Sequence, residues 1–185
     1  LVETAGGVPV RYGIVPDNLA SQKDAAEKAL TDCDVVAISA GSSASVRDTT
    51  AKVLHSLGDP GVLIHGVAVK PGKPTILAVA NEKAAFGLPG NPVSAIVIAR
   101  ILLLPTLYYL QGTHAPEARI IAAKLTRNIA SNAGREDHVP VRILHNDGVT
   151  LAEPVFGKSN LIFTLVRSDG SVTVPLNSNG LGQGE

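Results

Sequence analysis

Short apolar runs alternate with amphipathic stretches along the first 112 residues. Apolar positions at helical spacing predict helices that begin near residues 21 and 48, and a third over residues 92–111. Between them, β-branched and aliphatic runs predict strands at residues 8–15, 34–39, 62–69, 75–79 and 84–88. Alternating strands and helices are typical of an α/β domain, so we predict a three-layer domain over residues 1–112 with a largely parallel sheet.

Local signals set the expected ends of the first two helices. Ser21 and Asp24 have the spacing of a capping box, which predicts that the first helix begins at Ser21. The continuous apolar run 34–39 predicts a strand covered on both faces. Val53, Leu54 and Leu57 repeat at helical spacing, and Gly58 is the expected stop of the second helix.

The segment 92–111 is apolar nearly all round and is closed by Gly112. Arg100 and Pro105 interrupt it, so we expect a buried helix and no membrane span. A helix without a polar face must be covered on most sides, either by other layers or by a second subunit. We therefore predict a homodimer.

Residues 113–185 have a different pattern and predict a small C-terminal β domain. A short linker at 113–117 precedes it, and turn sequences occur at 146–148 and 168–170. Residues 159–166 fit a short helix. Strands are expected at residues 118–126, 139–144, 149–154 and 171–175.

The overall charge gives no reason to expect a nucleic-acid or membrane partner. Lys plus Arg and Asp plus Glu both number 16 in 185 residues, so any anion site must be local. The single cysteine, Cys33, cannot form an internal disulfide, and the five histidines lack metal-ligand spacing. We expect a reducing, cytoplasmic setting. The sequence contains no methionine, so we also expect it to be a fragment of a longer product.

Two stiff loops are the strongest candidates for an anion site. In the segment 70–74 (KPGKP), Lys70 and Lys73 flank a Pro-Gly pair, which predicts a preset cationic edge. In the segment 89–92 (PGNP), asparagine and then proline fall where a helix would begin, which predicts exposed N–H groups there. Either loop alone is more often solvated surface or a simple turn, but both together favour phosphate or another oxyanion.

A third loop, 39–48 (SAGSSASVRD), is rich in small and hydroxyl side chains. Such a loop can bring backbone N–H groups close to a ligand, with hydroxyls as further donors. The alternative is an ordinary strand-to-helix turn, in which Asp48 would be only a helix cap.

The KPGKP segment followed by 87–95 (GLPGNPVSA) resembles the signature of the molybdopterin molybdenumtransferase family, called MoeA in bacteria and represented in animals by the E domain of gephyrin. The similarity covers nearly the whole chain. It implies a molybdopterin-binding α/β domain followed by a small β-barrel-like domain. It also implies insertion of molybdate into adenylylated molybdopterin, with release of AMP and with magnesium as the metal.

The resemblance also implies roles for individual residues. Asp17 and Asp48 would be catalytic carboxylates that bind magnesium. Lys70 and Lys73 would hold molybdate or phosphate oxygens. The pterin and its phosphate would be held by Ser39, Gly41, Ser42, Ser43, Gly72, Pro89, Gly90, Asn91, Pro92 and Ser94.

The chain departs from the family pattern in the loop after residue 39. Ala40 and Ser45 stand where the family usually has glycines, and a complete active site is not expected in this piece alone. Two alternatives therefore stay open. One is a non-catalytic molybdopterin-binding or scaffolding module, and the other is a nucleotide-binding or regulatory α/β domain that shares the anion-binding loops.

Overall fold

The computed structural model describes residues 1–39, 44–157 and 162–185, without the side chains of 44–47. These residues form two compact units. The first unit comprises Leu1–Val67, Gly72–Asn91 and Ala95–Ala115, and the second comprises Ala68–Pro71, Pro92–Ser94 and Pro116–Glu185. Two short segments that precede residue 95 thus belong to the second unit.

The first unit is built on a sheet of four strands: β1 (Val35–Ser39), β2 (Pro60–His65), β4 (Ile76–Ala80) and β5 (Lys83–Leu88). Their order across the sheet is β1-β5-β4-β2. Strand β5 is parallel to β1, and β4 is antiparallel to both β5 and β2, so three of the four strands share one direction. Asn81 and Glu82, both with positive φ, form the tight turn that reverses the chain between β4 and β5.

Helices cover both faces of this sheet, and the predicted three-layer α/β class is confirmed. Helices α1 (Leu19–Asp32) and α2 (Ala44–Ser56) pack on one face, where Val53 and Leu54 are fully buried. The other face carries Phe86, which packs with Ala99 and Leu103 of the third helical segment. Alternate residues of β4 and β5 serve the two faces, as expected for strands in a sheet.

The third helical segment extends from Pro92 to Leu110 and contains one wide turn. It consists of α3 (Pro92–Ile98), a π turn (Ala99–Leu103) and α4 (Leu104–Leu110). A wide turn accommodates Pro105, which cannot donate a backbone hydrogen bond. Among the described residues it is the one helix long and apolar enough to cross a membrane. Only 28% of its 18-residue apolar window is buried, so the expectation of a helix covered on most sides is wrong for this chain. Ala99 and Leu103 of this segment pack against Phe86, so one side of the segment contributes to the core of the first unit.

The expected strand at residues 8–15 is wrong, because this segment has no strand partner. Val8 and Ile14 are almost fully exposed. The segment is attached to α1 through a side chain instead: the Tyr12 hydroxyl donates to Asp32 Oδ2 at 2.8 Å and lies 4.0 Å from the Cys33 sulfur. The hydrogen bond to Asp32 raises the pKa of Tyr12 above its ordinary value. A short 3₁₀ turn, Glu3–Ala5, precedes this segment.

Two further expectations in this unit are corrected. Helix α1 is capped by Asn18, whose side chain accepts the Ser21 N–H at 2.9 Å, so the helix begins before Ser21. Strand β1 is not covered on both faces, because Ala37 is exposed. This strand lies at one end of the sheet order and therefore has less cover than a central strand.

The second unit is a small β domain, as predicted. Its long strand β8 (Glu136–Asn146) pairs with β10 (Gly170–Val174), β9 (Val149–Pro154) and the short β3 (Val69–Lys70). Strand β6 (Lys124–Leu125) pairs with β9, and β7 (Ile129–Ala130) pairs with β11 (Gly180–Leu181). The core contains Leu125, Ile129, Val141, Ala152 and Val174.

Two predictions for this domain need correction. Only residues 124–125 of the expected strand 118–126 are paired, and Ile120 is 92% exposed. Apolar side chains favour a strand only where a neighbouring edge is available. The predicted helix at 159–166 corresponds to α5 (Phe163–Val166), while residues 158–161 lie outside the described part of the chain.

Candidate functional site

The strand register of the first unit brings several candidate loops to one edge of its sheet. Ile38, Gly87, Ile76 and His65 occupy neighbouring positions in one row across the four strands. The carboxyl ends of β1, β5 and β2 therefore share an edge with the amino end of β4. In α/β sheets, ligands bind beyond the carboxyl ends of the strands.

The turn that carries Lys73 lies at this edge, immediately before β4. The carbonyl of Gly72 accepts both the N–H of Thr75 at 3.1 Å and its hydroxyl at 2.7 Å. Val67 donates its N–H to the Lys73 carbonyl at 2.9 Å, and Gly66 donates to the Thr75 carbonyl at 2.8 Å. Gly72 has φ of +141°, which other residues rarely adopt. The backbone of the turn is thus fixed, while the Lys73 side chain is exposed.

The second candidate loop follows β5 at the same edge. Pro89 is buried and Gly90 is exposed, and Asn91 occupies the N-cap position of α3 with an extended backbone. Pro92 is the first residue of the helix, as the sequence predicted. Ser94 is 4% exposed. The loop therefore ends at a helix N-terminus, where backbone N–H groups lack partners within the helix.

The two candidate carboxylates both belong to the first unit and are exposed. Asp17 precedes the α1 cap, and its Oδ1 accepts a 3.4 Å hydrogen bond from Gln22 Nε2. Asp48 lies within α2 and is not its cap, so the helix-cap alternative is wrong. Among the described residues, no three or more His, Cys, Asp or Glu side chains are grouped so that they could hold a metal ion. Magnesium held by these two carboxylates would need water or substrate oxygens as further ligands.

The small-residue loop is described only at its ends. Ser39 is the exposed last residue of β1 and pairs with Leu88 of β5. The predicted ligands Gly41, Ser42 and Ser43 lie outside the described residues.

Lys70 belongs to the second unit, where it is paired with a buried carboxylate. Its Nζ lies 3.2 Å from Asp137 Oδ2. Arg135 donates to the same carboxylate, through Nε to Oδ1 at 2.8 Å and through Nη2 to Oδ2 at 3.4 Å. The side chain of Asp137 is 3% exposed, whereas those of Lys70 and Arg135 are 54% and 34% exposed.

The charge of Asp137 is maintained by these two cations. Burial by itself raises the pKa of the carboxyl group, because it disfavours the charged form. The hydrogen bonds from Arg135 and Lys70 and the positive charge of Lys70 act in the opposite direction, and the net pKa is lowered. Asp137 is therefore ionised at neutral pH.

Sequence reasoning missed Arg135 and Asp137. Arg135 directly precedes β8 and Asp137 is the second residue of that strand, so their closeness in sequence is the one local signal for the pair. Their partner Lys70 is distant in sequence and reaches them through the parallel pairing of β3 with β8, in the register Lys70 opposite Asp137. No local pattern indicates such a pairing.

The fold defines the class as a two-unit protein, with an α/β unit that carries the candidate loops and a small β unit. Comparison with family models identifies the class more closely. Residues 1–109 match the "Probable molybdopterin binding domain", and residues 122–185 match the "MoeA C-terminal region (domain IV)". The chain belongs to the MoeA family, and the resemblance predicted from its motifs is confirmed.

Individual relatives agree with this assignment. A molybdopterin biosynthesis protein of Methanocaldococcus jannaschii is 33% identical over 186 residues, covering 100% of this chain and 43% of the relative. The molybdopterin molybdenumtransferase of Bacillus subtilis is 27% identical over 181 residues, covering 97% and 42%. The crystal structure of the MoeA protein of Pyrococcus horikoshii superimposes with a TM-score of 0.81 at 34% identity, covering 99% and 43%. The chain thus spans less than half the length of these relatives.

Proposed function

We propose that this chain is part of a molybdopterin molybdenumtransferase, which inserts molybdate into adenylylated molybdopterin and releases AMP. The family assignment supports this proposal. The observation that carries it is the shared sheet edge, to which the register brings the end of β1, the end of β5 and the Lys73 turn. Curated relatives of this chain carry the same transferase name.

In this proposal each group of residues has a separate role. Lys70 and Lys73 bind oxyanion oxygens as charged donors. Asp17 and Asp48 hold magnesium, which accepts oxygen ligands and keeps several waters. The pterin and its phosphate are bound by backbone and hydroxyl groups of Ser39, Gly41, Ser42, Ser43, Gly72, Pro89, Gly90, Asn91, Pro92 and Ser94.

The proposal includes a cytoplasmic homodimer. The helical segment 92–110 has one side on the sheet, but Tyr109 and Leu110 on it are 77% and 52% exposed. Apolar surface of this kind is favourable to cover. A second copy of the protein is the occupant that we propose.

Molybdate-dependent release of AMP from adenylylated molybdopterin by the full-length protein tests the reaction. We expect Asp48→Ala and Lys73→Ala to lower the rate by about 100-fold or more, because each removes a charge that contacts metal or oxyanion. Lys52→Ala is the matched control, because Lys52 is an exposed residue of α2, and it should retain the wild-type rate.

Three results would contradict the proposal. A wild-type rate of AMP release in Asp48→Ala or Lys73→Ala would show that the substituted residue does not have its proposed role. Binding of molybdopterin by the wild-type protein without AMP release would favour a non-catalytic binding or scaffolding module. Nucleotide affinity that is insensitive to molybdate would favour a nucleotide-binding domain.

A further inference from the structure

One buried side-chain amide lies on the apolar face of helix α1. The buried residues of this helix are Gln22, Ala26, Ala29 and Leu30, whose spacing places them on one face. The last three belong to the hydrophobic core of the first unit, and Gln22 beside them is only 9% exposed. An apolar side chain fits the pattern at this position. Packing alone therefore gives no reason for an amide here.

The hydrogen bonding of this amide is incomplete. Its Nε2 donates to Asp17 Oδ1 at 3.4 Å, and its buried Oε1 has no hydrogen-bond partner among the described residues. A side-chain amide offers two N–H donors and a carbonyl acceptor, so most of this capacity is unused. Buried polar groups without partners lower the stability of a fold. Gln22 thus reduces stability, and the hydrogen bond described for its side chain goes to Asp17.

The contact with Asp17 determines how the amide is oriented. Turning the amide over would place Oε1 beside the Asp17 carboxylate, where two acceptors would face each other. The observed orientation places the donor there and leaves Oε1 without a partner in the described part of the chain. At 3.4 Å the bond is long, as hydrogen bonds at catalytic sites often are before a ligand tightens them. The amide is thus oriented for Asp17.

The backbone around Asp17 is held in place as well. Asn18 caps α1 by accepting the Ser21 N–H at 2.9 Å, and it donates its own N–H to the Pro16 carbonyl at 2.8 Å. The Gln22 N–H donates to the Asn18 carbonyl at 3.1 Å, which places Gln22 next to the cap. The Asp17 carboxylate is exposed, so its remaining freedom is rotation of the side chain. The hydrogen bond from Gln22 Nε2 restricts that rotation.

We propose that Gln22 is a positioning residue of the magnesium site at Asp17: its Nε2 holds Asp17 Oδ1, and the second carboxylate oxygen, Oδ2, is thereby directed to the ion. The donor set fits magnesium, because an exposed carboxylate is the kind of oxygen ligand that this ion binds while it keeps several waters. Carboxylates that bind metals are commonly hydrogen-bonded by neighbouring residues. The inference rests on the proposed function for the identity of the ion, whereas the contact between Gln22 and Asp17 is independent of it.

The Gln22→Met variant separates positioning from electrostatics and from packing. Methionine is unbranched, favours a helix and suits a buried apolar face, but it has no donor for Asp17. An N–H donor lowers the negative potential of a carboxylate, so its loss should strengthen cation binding if only charge matters. If Gln22 positions Asp17, the same loss weakens cation binding. A role confined to packing leaves the affinity unchanged.

The experiment titrates the full-length protein, freed of metal, with Mn²⁺, which suits the same oxygen ligands as Mg²⁺, and measures free Mn²⁺ by electron paramagnetic resonance. We expect Gln22→Met to raise the dissociation constant by about tenfold, as is typical when a metal ligand loses its hydrogen-bond partner. Asp17→Asn should raise it further, because it changes the ligand itself. In the AMP-release assay, Gln22→Met should raise the Mg²⁺ concentration for half-maximal rate, with the rate at saturating Mg²⁺ changed less than about twofold.

Gln111→Met is the matched control, because it removes an amide from the end of another helix in the same unit. Gln111 Nε2 donates to the Ala5 carbonyl at 2.8 Å and to the Leu107 carbonyl at 2.9 Å, so this amide is structural. We expect the control to lower the midpoint of urea unfolding without changing the Mn²⁺ affinity. Gln22→Met should show the opposite pattern, with weaker Mn²⁺ binding and a metal-free midpoint at least as high as that of the wild type.

A second measurement uses the wild-type protein and does not depend on a variant folding. Saturation with Mg²⁺ should shift the Gln22 side-chain NH₂ resonances of the ¹⁵N-labelled protein, because the hydrogen bond to Asp17 tightens. Unshifted resonances at saturating Mg²⁺ would overturn the inference.

The outcomes distinguish this inference from the proposed function. Mn²⁺ binding that weakens in both Asp17→Asn and Gln22→Met, without AMP release by the wild type, would support the inference and reject the transferase. An unchanged or tighter Mn²⁺ affinity in a folded Gln22→Met would overturn the inference even if AMP release were fast. Mn²⁺ binding that does not depend on Asp17 would overturn it as well.

Discussion

Asp137 carries a charge that its neighbours maintain against the effect of burial. Its pKa is lowered from the ordinary value of 3.8, although burial raises it, because Arg135 and Lys70 stabilise the carboxylate. A lowered pKa in the folded state means that the ionised group contributes stability at neutral pH. This contribution is lost as the pH falls through the folded-state pKa.

We therefore predict a pH-dependent difference in stability between the wild-type protein and Asp137→Asn. At pH 7 the variant should be less stable by ~2 kcal/mol, because hydrogen bonds to charged groups are lost. The difference should shrink as the pH falls below about 4, because the carboxyl group of the unfolded chain is protonated first, and it should vanish once the pH passes below the lowered folded-state pKa. Urea unfolding at a series of pH values measures it.

Asp147→Asn is the control for this measurement, because Asp147 is exposed in the turn between β8 and β9, where asparagine also tolerates its positive φ. Its stability difference from wild type should stay near zero across the series. A difference for Asp137→Asn that is constant from pH 7 to pH 3 would contradict the assigned charge state.

At the scale of single residues, the sequence predicted which residues occupy the positions at the start of a helix, but it did not predict which side chains contact each other. Asn91 and Pro92 occupy the cap and first helical positions that the PGNP motif indicated. The partner of Lys70 could not be predicted, because Asp137 lies 67 residues away and meets it only through the pairing of β3 with β8. Side-chain pairs that depend on strand register have no local sequence pattern.

Among the elements, helix α1 has two candidate N-cap residues in its sequence, of which one caps the helix in the structure. Asn18 and Ser21 both have side chains that can accept a helix N–H, and the structure uses Asn18. We predict that Asn18→Ala lowers the free energy of unfolding by about 1 kcal/mol, as usual for loss of an N-cap. Ser21→Ala should change it by less than about 0.5 kcal/mol. Denaturant unfolding compares the two, and a larger loss in Ser21→Ala would contradict the assigned cap.

The strands show where pattern is sufficient and where it fails. Runs 75–79 and 84–88 became β4 and β5 because each lies beside a neighbour and a two-residue turn joins them. Residues 8–15 have a similar composition but no strand partner, so Val8, Val10 and Ile14 remain exposed. β-propensity describes side chains that suit a sheet, and it does not supply the adjacent edge.

For the whole molecule, the apolar helical segment leads to a prediction about assembly. We expect the full-length protein to be a homodimer in light scattering, because covering Tyr109 and Leu110 removes apolar surface from water. A Tyr109→Asp, Leu110→Asp double variant should shift the mass toward the monomer at micromolar concentration. A monodisperse wild-type monomer would contradict the prediction, and a cooperative thermal unfolding transition of the variant is the control for folding.

The sequence indicated the class and the family of the whole chain, but not how the chain is divided in space. The motifs at 70–74 and 87–95 indicated a family that the models of both regions match. No sequence pattern indicated that Ala68–Pro71 and Pro92–Ser94 belong to the second unit. Such membership depends on contacts between distant segments, which a hydrophobic pattern does not encode.

The attachment of the N-terminal segment to α1 has a practical consequence. Cys33 is the single cysteine of the sequence, it is half-buried, and its sulfur lies 4.0 Å from the Tyr12 hydroxyl. A maleimide dye would therefore attach at one defined position, next to the only side chain that hydrogen-bonds Asp32 in the part of the chain described by the structure. Fluorescence from that dye would record detachment of the segment in real time, without any engineered labelling residue.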